Sequence, residues 1–257
     1  MNTRSLLAAL VLAAAMTASP GTRTSAAAAA AGPGSLAGLW RMGGYVGSAA
    51  HTARERIARD IDGRLPPLLP WARDLLEKRV DDADRHGKLF ANNMTQCLPQ
   101  GVPYLLFGAV EGPIQIFEEQ EQITVITEEG AEIWDIYLNQ QHPPPDDIEP
   151  TYHGDSVGHW EGATLVVDSV GLNDRTTLDQ VGMPHSDAMH VTTRVRRAGA
   201  DRLEFTVVID DPKTFSSPWT RRVTYTKSRS GDRRREYVCE NNRNPPDAGG
   251  FQSFQVR

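Results

Sequence analysis

Long apolar runs are missing from this chain after residue 31, and no later stretch approaches the roughly 18 residues a membrane helix needs. Basic charge is also scarce, with 27 Lys and Arg against 33 Asp and Glu. That balance argues against nucleic acid as a main partner. There are only two cysteines, too few for a structural zinc site without help from histidine. No glycine-rich phosphate loop, dinucleotide fingerprint or HExxH helix is present. Nucleotide chemistry and the compact zinc-hydrolase pattern therefore have no support, and no cofactor is implied by motif.

The amino-terminal segment has a different character. Arg4 precedes an apolar run from Leu6 to Met16, and Ala-rich sequence continues to Ala31. This is the pattern of a secretory signal peptide over residues 1–31, with a small-residue cleavage site near Ala26–Ala31. The expected product is an exported protein, periplasmic or secreted, with no membrane span. Removing residues 1–34 takes away Arg4 and Arg23 and no acid, which leaves 25 basic and 33 acidic residues and a net charge of −8. The remainder, residues 35–257, suits a single domain with a sizeable core. In an exported chain, Cys97 and Cys239 form an even pair that predicts a disulfide, with two buried thiols as the alternative.

Secondary-structure signals are mostly those of strands. Period-2 alternation is clear in Leu203, Phe205, Val207 and Ile209, and in Trp219, Val223 and Tyr225. Strands are predicted at 113–118, 121–127, 131–138, 152–160, 163–170, 189–197, 202–211, 218–227 and 235–240, after a short one containing Trp40. One amphipathic helix is predicted over 70–84, with Pro70 in its first turn and Gly87 beyond its end. The tail after Cys239 is polar, rich in Pro and Gly, and reads as irregular. Short strands in sequence order, joined by short turns, point to a mainly β fold: an antiparallel meander closed into a barrel. About eight to ten strands would enclose room for one small ligand. A β-sandwich is the alternative. Gly38-Leu39-Trp40 near the start of the domain resembles the opening of lipocalin-like barrels, where a Trp closes one end.

The densest chemistry lies between His142 and His190, which holds five of the seven histidines: His142, His153, His159, His185 and His190. Imidazole is the side chain best matched to proton transfer near neutral pH. A hairpin runs through this region, with Glu161-Gly162 as the expected turn. That turn pairs 160 with 163, 157 with 166 and 155 with 168. Asp155 and Asp168 then share one face with Val157, His159 and Val166. Like charges opposed on a ladder are unfavourable unless solvated, protonated or paired, so this face is either a wet wall or an acid–imidazole site.

The stretch GDSVGHWEGATLVVD, followed by a Pro-His-Ser-Asp segment, resembles a large group of exported bacterial proteins. Their motif reads approximately GDSVGRWEGDTLVVD, and the likeness runs from about Pro113 to Asn242. The group carries no established activity. His142, Tyr152, Asp155, Asp168, His185 and Asp187 match its pattern, whereas His159, Ala163 and Thr193 stand where it has Arg, Asp and Glu.

These residues imply an enzyme of cofactor-independent acid–base chemistry (a lyase, isomerase, hydratase or hydrolase) on an apolar or aromatic small molecule in a barrel pocket. His142 or His185 is the expected base, Asp155 or Asp168 the orienting acid, and Tyr152 the oxyanion donor. Trp134, Trp160 and His190 are the expected substrate contacts. A small-molecule carrier without turnover and a His/Asp metal site are the alternatives. Gly154-Asp155-Ser156-Val157-Gly158 matches the serine-elbow spacing, but it leads into another strand rather than a helix, so nucleophilic catalysis at Ser156 is set aside.

Overall fold

A computed structural model describes residues 34–42, 52–91, 93–107 and 112–239. The expected signal peptide and the tail beyond Cys239 lie outside the described residues. The described residues form a closed barrel of nine strands in sequence order. These are β1 (Gly38–Met42), β2 (Pro113–Glu118), β3 (Gln122–Thr127), β4 (Ile133–Leu138), β5 (Asp155–Glu161), β6 (Thr164–Val170), β7 (His190–Arg197), β8 (Arg202–Asp210) and β9 (Trp219–Lys227). The pairing of β1 with β9 closes the ring and leaves no free first or last strand.

Alternation decides what faces inward. In β6, Leu165, Val167 and Ser169 are buried while Thr164, Asp168 and Val170 stay partly exposed. The interior is filled by large side chains, among them Trp40, Trp134, Phe205 and Tyr225. Trp40 is fully buried and donates its indole N–H to the Leu36 carbonyl at 2.8 Å. The Arg197 guanidinium lies 5.4 Å from its ring centre, an attractive cation–π arrangement.

The helix α1 (Pro70–His86) begins at a proline that suits a first helical turn, and it ends at Gly87 in the left-handed conformation. It buries Ala72, Leu76 and Val80. A second short helix, α2 (Tyr104–Phe107), is fully buried. Sequence periodicity missed it because four residues are too few to show a helical period. Cys97 and Cys239 form the expected disulfide, with Cα atoms 5.6 Å apart. No helix among the described residues is long and apolar enough to cross a membrane.

Three expectations need correction. Residues 232–238 form no strand: β1 takes the free edge of β9, so the ring closes with nine strands and that segment has no edge to join. The hairpin turn is Gly162-Ala163, so 161 pairs with 164, 157 with 168 and 155 with 170. Glycine at the first turn position with positive φ fits a II′ turn, whose twist matches the strands it joins. A two-residue slip preserves parity, so the two faces are composed as expected, but Asp155 and Asp168 are not opposed. Finally, the meander is not purely antiparallel. β4 and β5 run parallel, paired only at Tyr137–Val157 and Leu138–Gly158. Parallel neighbours need a crossover of about a dozen residues or more, and residues 139–154 supply it.

Candidate functional site

That crossover carries His142. Asn139 opens it in the left-handed conformation, and its N–H donates to the Gly158 carbonyl at 2.8 Å. Pro143, Pro144 and Pro145 then fix three successive φ angles. Ile148 packs so closely over Gly171 that a Cβ there would sit 2.2 Å from its Cγ2. The loop is thereby pinned to the outer wall of the barrel, with His142 laid over β5 and β6.

The His142 imidazole lies between two carboxylates. Nδ1 is 2.5 Å from Oδ1 of Asp155 and Nε2 is 3.1 Å from Oδ2 of Asp168. The other Asp168 oxygen is 2.5 Å from Nε2 of His190. The result is a continuous chain, Asp155–His142–Asp168–His190, drawn from the crossover, β5, β6 and β7. Side-chain exposure rises along it from about a fifth at His142 to 45% at His190, so solutes can reach its outer end. Asp210 is the register partner of His190 and is exposed.

A carboxylate only accepts, and a neutral imidazole brings one N–H. The three nitrogen–oxygen contacts join the four side chains into one hydrogen-bonded network. Both nitrogens of His142 are engaged, Nδ1 by Asp155 and Nε2 by Asp168. His190 uses only Nε2 in the described bonds, and its side chain is 45% exposed.

The other candidates lie elsewhere. His185 is buried, with Nε2 2.6 Å from the Thr176 hydroxyl and Nδ1 3.2 Å from the Ser186 carbonyl. This pattern fits a neutral ring that donates from Nδ1 and accepts at Nε2. Burial pushes its pKa below the ordinary 6.5, partly offset by the Ser186 carbonyl and Asp211. Tyr152 is half-buried, and its backbone carbonyl accepts from Val102 N–H at 3.0 Å. No described hydrogen bond ties its phenol to the cluster. Trp134 is an interior residue whose indole N–H donates to Ser156, which in turn bonds Ser169 at 2.7 Å. Trp160 is 38% exposed and is not near Trp134 in register. His153 bonds Glu132, and His159 bonds Glu161. Among the described residues, no three His, Cys, Asp or Glu side chains are arranged to hold a metal ion.

The buried His185 has a consequence for stability. Its folded pKa is depressed, so the unfolded chain binds its proton more readily between the folded pKa and about 6.5. Stability from this group is complete above that range and falls as pH drops through it. Thermal unfolding scanned from pH 7.5 to pH 5 is expected to show a decline of at most about 1.4 kcal/mol per pH unit from His185. His185→Gln should flatten that decline. An unchanged slope would show that His185 does not carry it.

Sequence reasoning also missed Glu132, Asp179 and Arg221, a buried or part-buried set of charges. Glu132 precedes a strand and Asp179 sits in a loop, so neither shows a burial signal in sequence. Neither a protein-family model nor a curated protein matches the chain.

Proposed function

We propose that this is an exported acid–base catalyst whose working group is His190, held by Asp168 and backed by His142 and Asp155. Proton transfer by a positioned imidazole is worth roughly 10²–10⁴-fold in rate. The observation that carries the reading is the bonded chain of two acids and two imidazoles from four segments, graded from half-buried to exposed. On this reading the substrate would meet the outer wall beside the crossover loop rather than a pocket inside the barrel. The neighbouring Val157, Val170 and the proline run supply an apolar border suited to a small apolar or aromatic substrate. The disulfide and the lack of a membrane-crossing helix among the described residues support export to an oxidising compartment. The likeness to the exported bacterial group is compatible with the same reading.

The test is a pool of small carbonyl compounds and esters incubated with the protein in D2O and read by mass spectrometry. Isomerases and lyases that abstract a carbon-bound proton incorporate deuterium; hydratases and hydrolases add the mass of water. At least one compound should change, and His190→Asn should slow it by about 10²-fold or more. His142→Asn should slow it by about tenfold, as a residue acting through Asp168. If the pool is untouched, or if His190→Asn matches the wild type, the catalytic reading fails. The chain of bonds is then a latch that holds the crossover to the barrel, and His142→Asn would show only a lower melting temperature.

A further inference from the structure

Charge is not spread evenly around the barrel. Residues 113–190, which carry β2 to β6, hold 16 acids and a single Lys or Arg, Arg175. Residues 191–239, which carry most of β7 and all of β8 and β9, hold 12 Lys and Arg against 6 acids. The strands close in sequence order, so β3 and β8 stand on opposite sides of the ring. A polarity along the chain thereby becomes a polarity across the barrel, acidic on one wall and basic on the other.

The acidic wall also exposes large apolar side chains. On the outer face of β2, β3 and β4, Phe117, Ile133 and Tyr137 are 47%, 54% and 39% exposed. Register brings them onto one face: Phe117 pairs with Thr124, which pairs with Asp135, and Ile133 pairs with Ile126. The polar side chains between them satisfy one another. Gln122 Nε2 donates to Thr124 at 2.9 Å and to Asp135 at 2.7 Å, and the Thr124 hydroxyl donates to Asp135 at 2.7 Å. Glu119 and Glu121 are exposed at the turn that joins β2 to β3. None of Glu119, Glu121 and Asp135 has a Lys or Arg partner among the described residues. Exposed apolar side chains grouped within a polar rim mark a contact surface.

The opposite wall has the complementary character. Arg194, Arg196, Arg202 and Arg222 are exposed on β7, β8 and β9. Arg196 and Arg222 share one carboxylate, that of Glu204, at 2.7 and 3.8 Å. Arg194 holds Glu161 at 2.5 Å. Arg202 has no ion pair among the described residues. Positive charge is therefore in excess on this wall.

We infer that the outer face of β2–β4 is a docking surface for the β7–β9 face of a second copy of this chain. Arginine suits both parts of that face, because a guanidinium bonds carboxylates and stacks on aromatic rings. It can meet Asp135, Glu119 and Glu121 as well as Phe117 and Tyr137. The two faces differ and lie on opposite sides, so the contact is head-to-tail and each copy keeps one face free for the next. Three strands side by side, six residues long, cover roughly 300 Å². That is well below the roughly 800 Å² per partner of a standard stable complex. The association is weak, reversible and dependent on protein concentration. It does not rest on the catalytic reading.

The experiment is sedimentation velocity of the purified full chain from micromolar to near-millimolar concentration. It is run in roughly 0.01 M and 1 M salt, between which the screening length falls from about 30 Å to about 3 Å. At low salt the average mass is expected to keep rising with concentration, past that of two chains. At high salt the association should weaken by at least about tenfold. Phe117→Thr with Ile133→Thr removes one face, and Arg202→Glu with Arg222→Gln removes the other. Each double variant should stay monomeric on its own. An equimolar mixture of the two should form pairs and stop there, because each keeps the face that the other lacks. If the arginine double variant does not fold, Arg202→Glu alone takes its place. A wild type that is monomeric at every concentration in low salt, as when another segment or another protein covers the face, overturns the inference. So does full association in either variant, or a mixture that stays monomeric.

Discussion

Replacing both Cys97 and Cys239 with serine is expected to cost about 5 kcal/mol by the loop-entropy relation, the largest stability effect foreseen for this chain. The bridge spans 142 residues and encloses β2 through β9. Its effect acts mainly on the unfolded state, whose freedom it restricts. For a domain of this size, each kcal/mol shifts the melting temperature by roughly 2–4 °C, so a fall of about 10–20 °C is expected. Differential scanning calorimetry of the double variant against the oxidised wild type measures it. One native contact works in parallel with the bridge. The backbone N–H and Nε of Arg235 donate to the buried Glu128 carboxylate at 2.6 and 3.1 Å. A fall under about 1 kcal/mol would mean that this contact holds the segment and that the long-loop entropy is not realised.

Glu132→Ala is expected to destabilise the fold by about 3–5 kcal/mol, because its carboxylate is a buried clamp. One oxygen accepts the Gln100 N–H at 2.8 Å; the other accepts the Gly101 N–H at 2.9 Å and contacts His153 Nε2 at 2.9 Å. Glu132 is 5% exposed, so water cannot take over these bonds. The loop it holds has no slack. Gly101 has a φ of +72°, and a Cβ there would sit 2.3 Å from the Tyr152 carbonyl oxygen. Removing the carboxylate strands two backbone donors, each worth about 1–3 kcal/mol when left unpaired. Glu132→Gln keeps one good acceptor and should lose about half as much. Urea unfolding gives the comparison, provided the slope is unchanged between variants. Equal midpoints for Glu132→Ala and wild type would remove the clamp from the account.

The legibility of this protein divides along a physical line. Strand positions, the helix at α1, the paired cysteines and the closed barrel all follow from local alternation, helix-end signals and the need to remove sheet edges. The placement of Asp155 and Asp168 on the outer face was equally legible, since side-chain parity survives a two-residue slip in register. The turn itself was misplaced because glycine serves either turn position, and only the three-dimensional pairing chooses between them.

What the sequence determined by itself was nine of the strands and the long helix, the side the hairpin residues face, and the segment where imidazoles and acids gather. What only the tertiary structure decided was which of them meet. His142 reaches β5 and β6 because β4 and β5 run parallel, and a parallel pair forces the crossover back over the wall. His185 falls five residues from His190 in sequence but is buried apart from it, bonded to Thr176. Glu132 looks like an ordinary strand-flanking charge until the ring closes around it. Burial is a property of the closed surface, and no local pattern of a single charged residue encodes it.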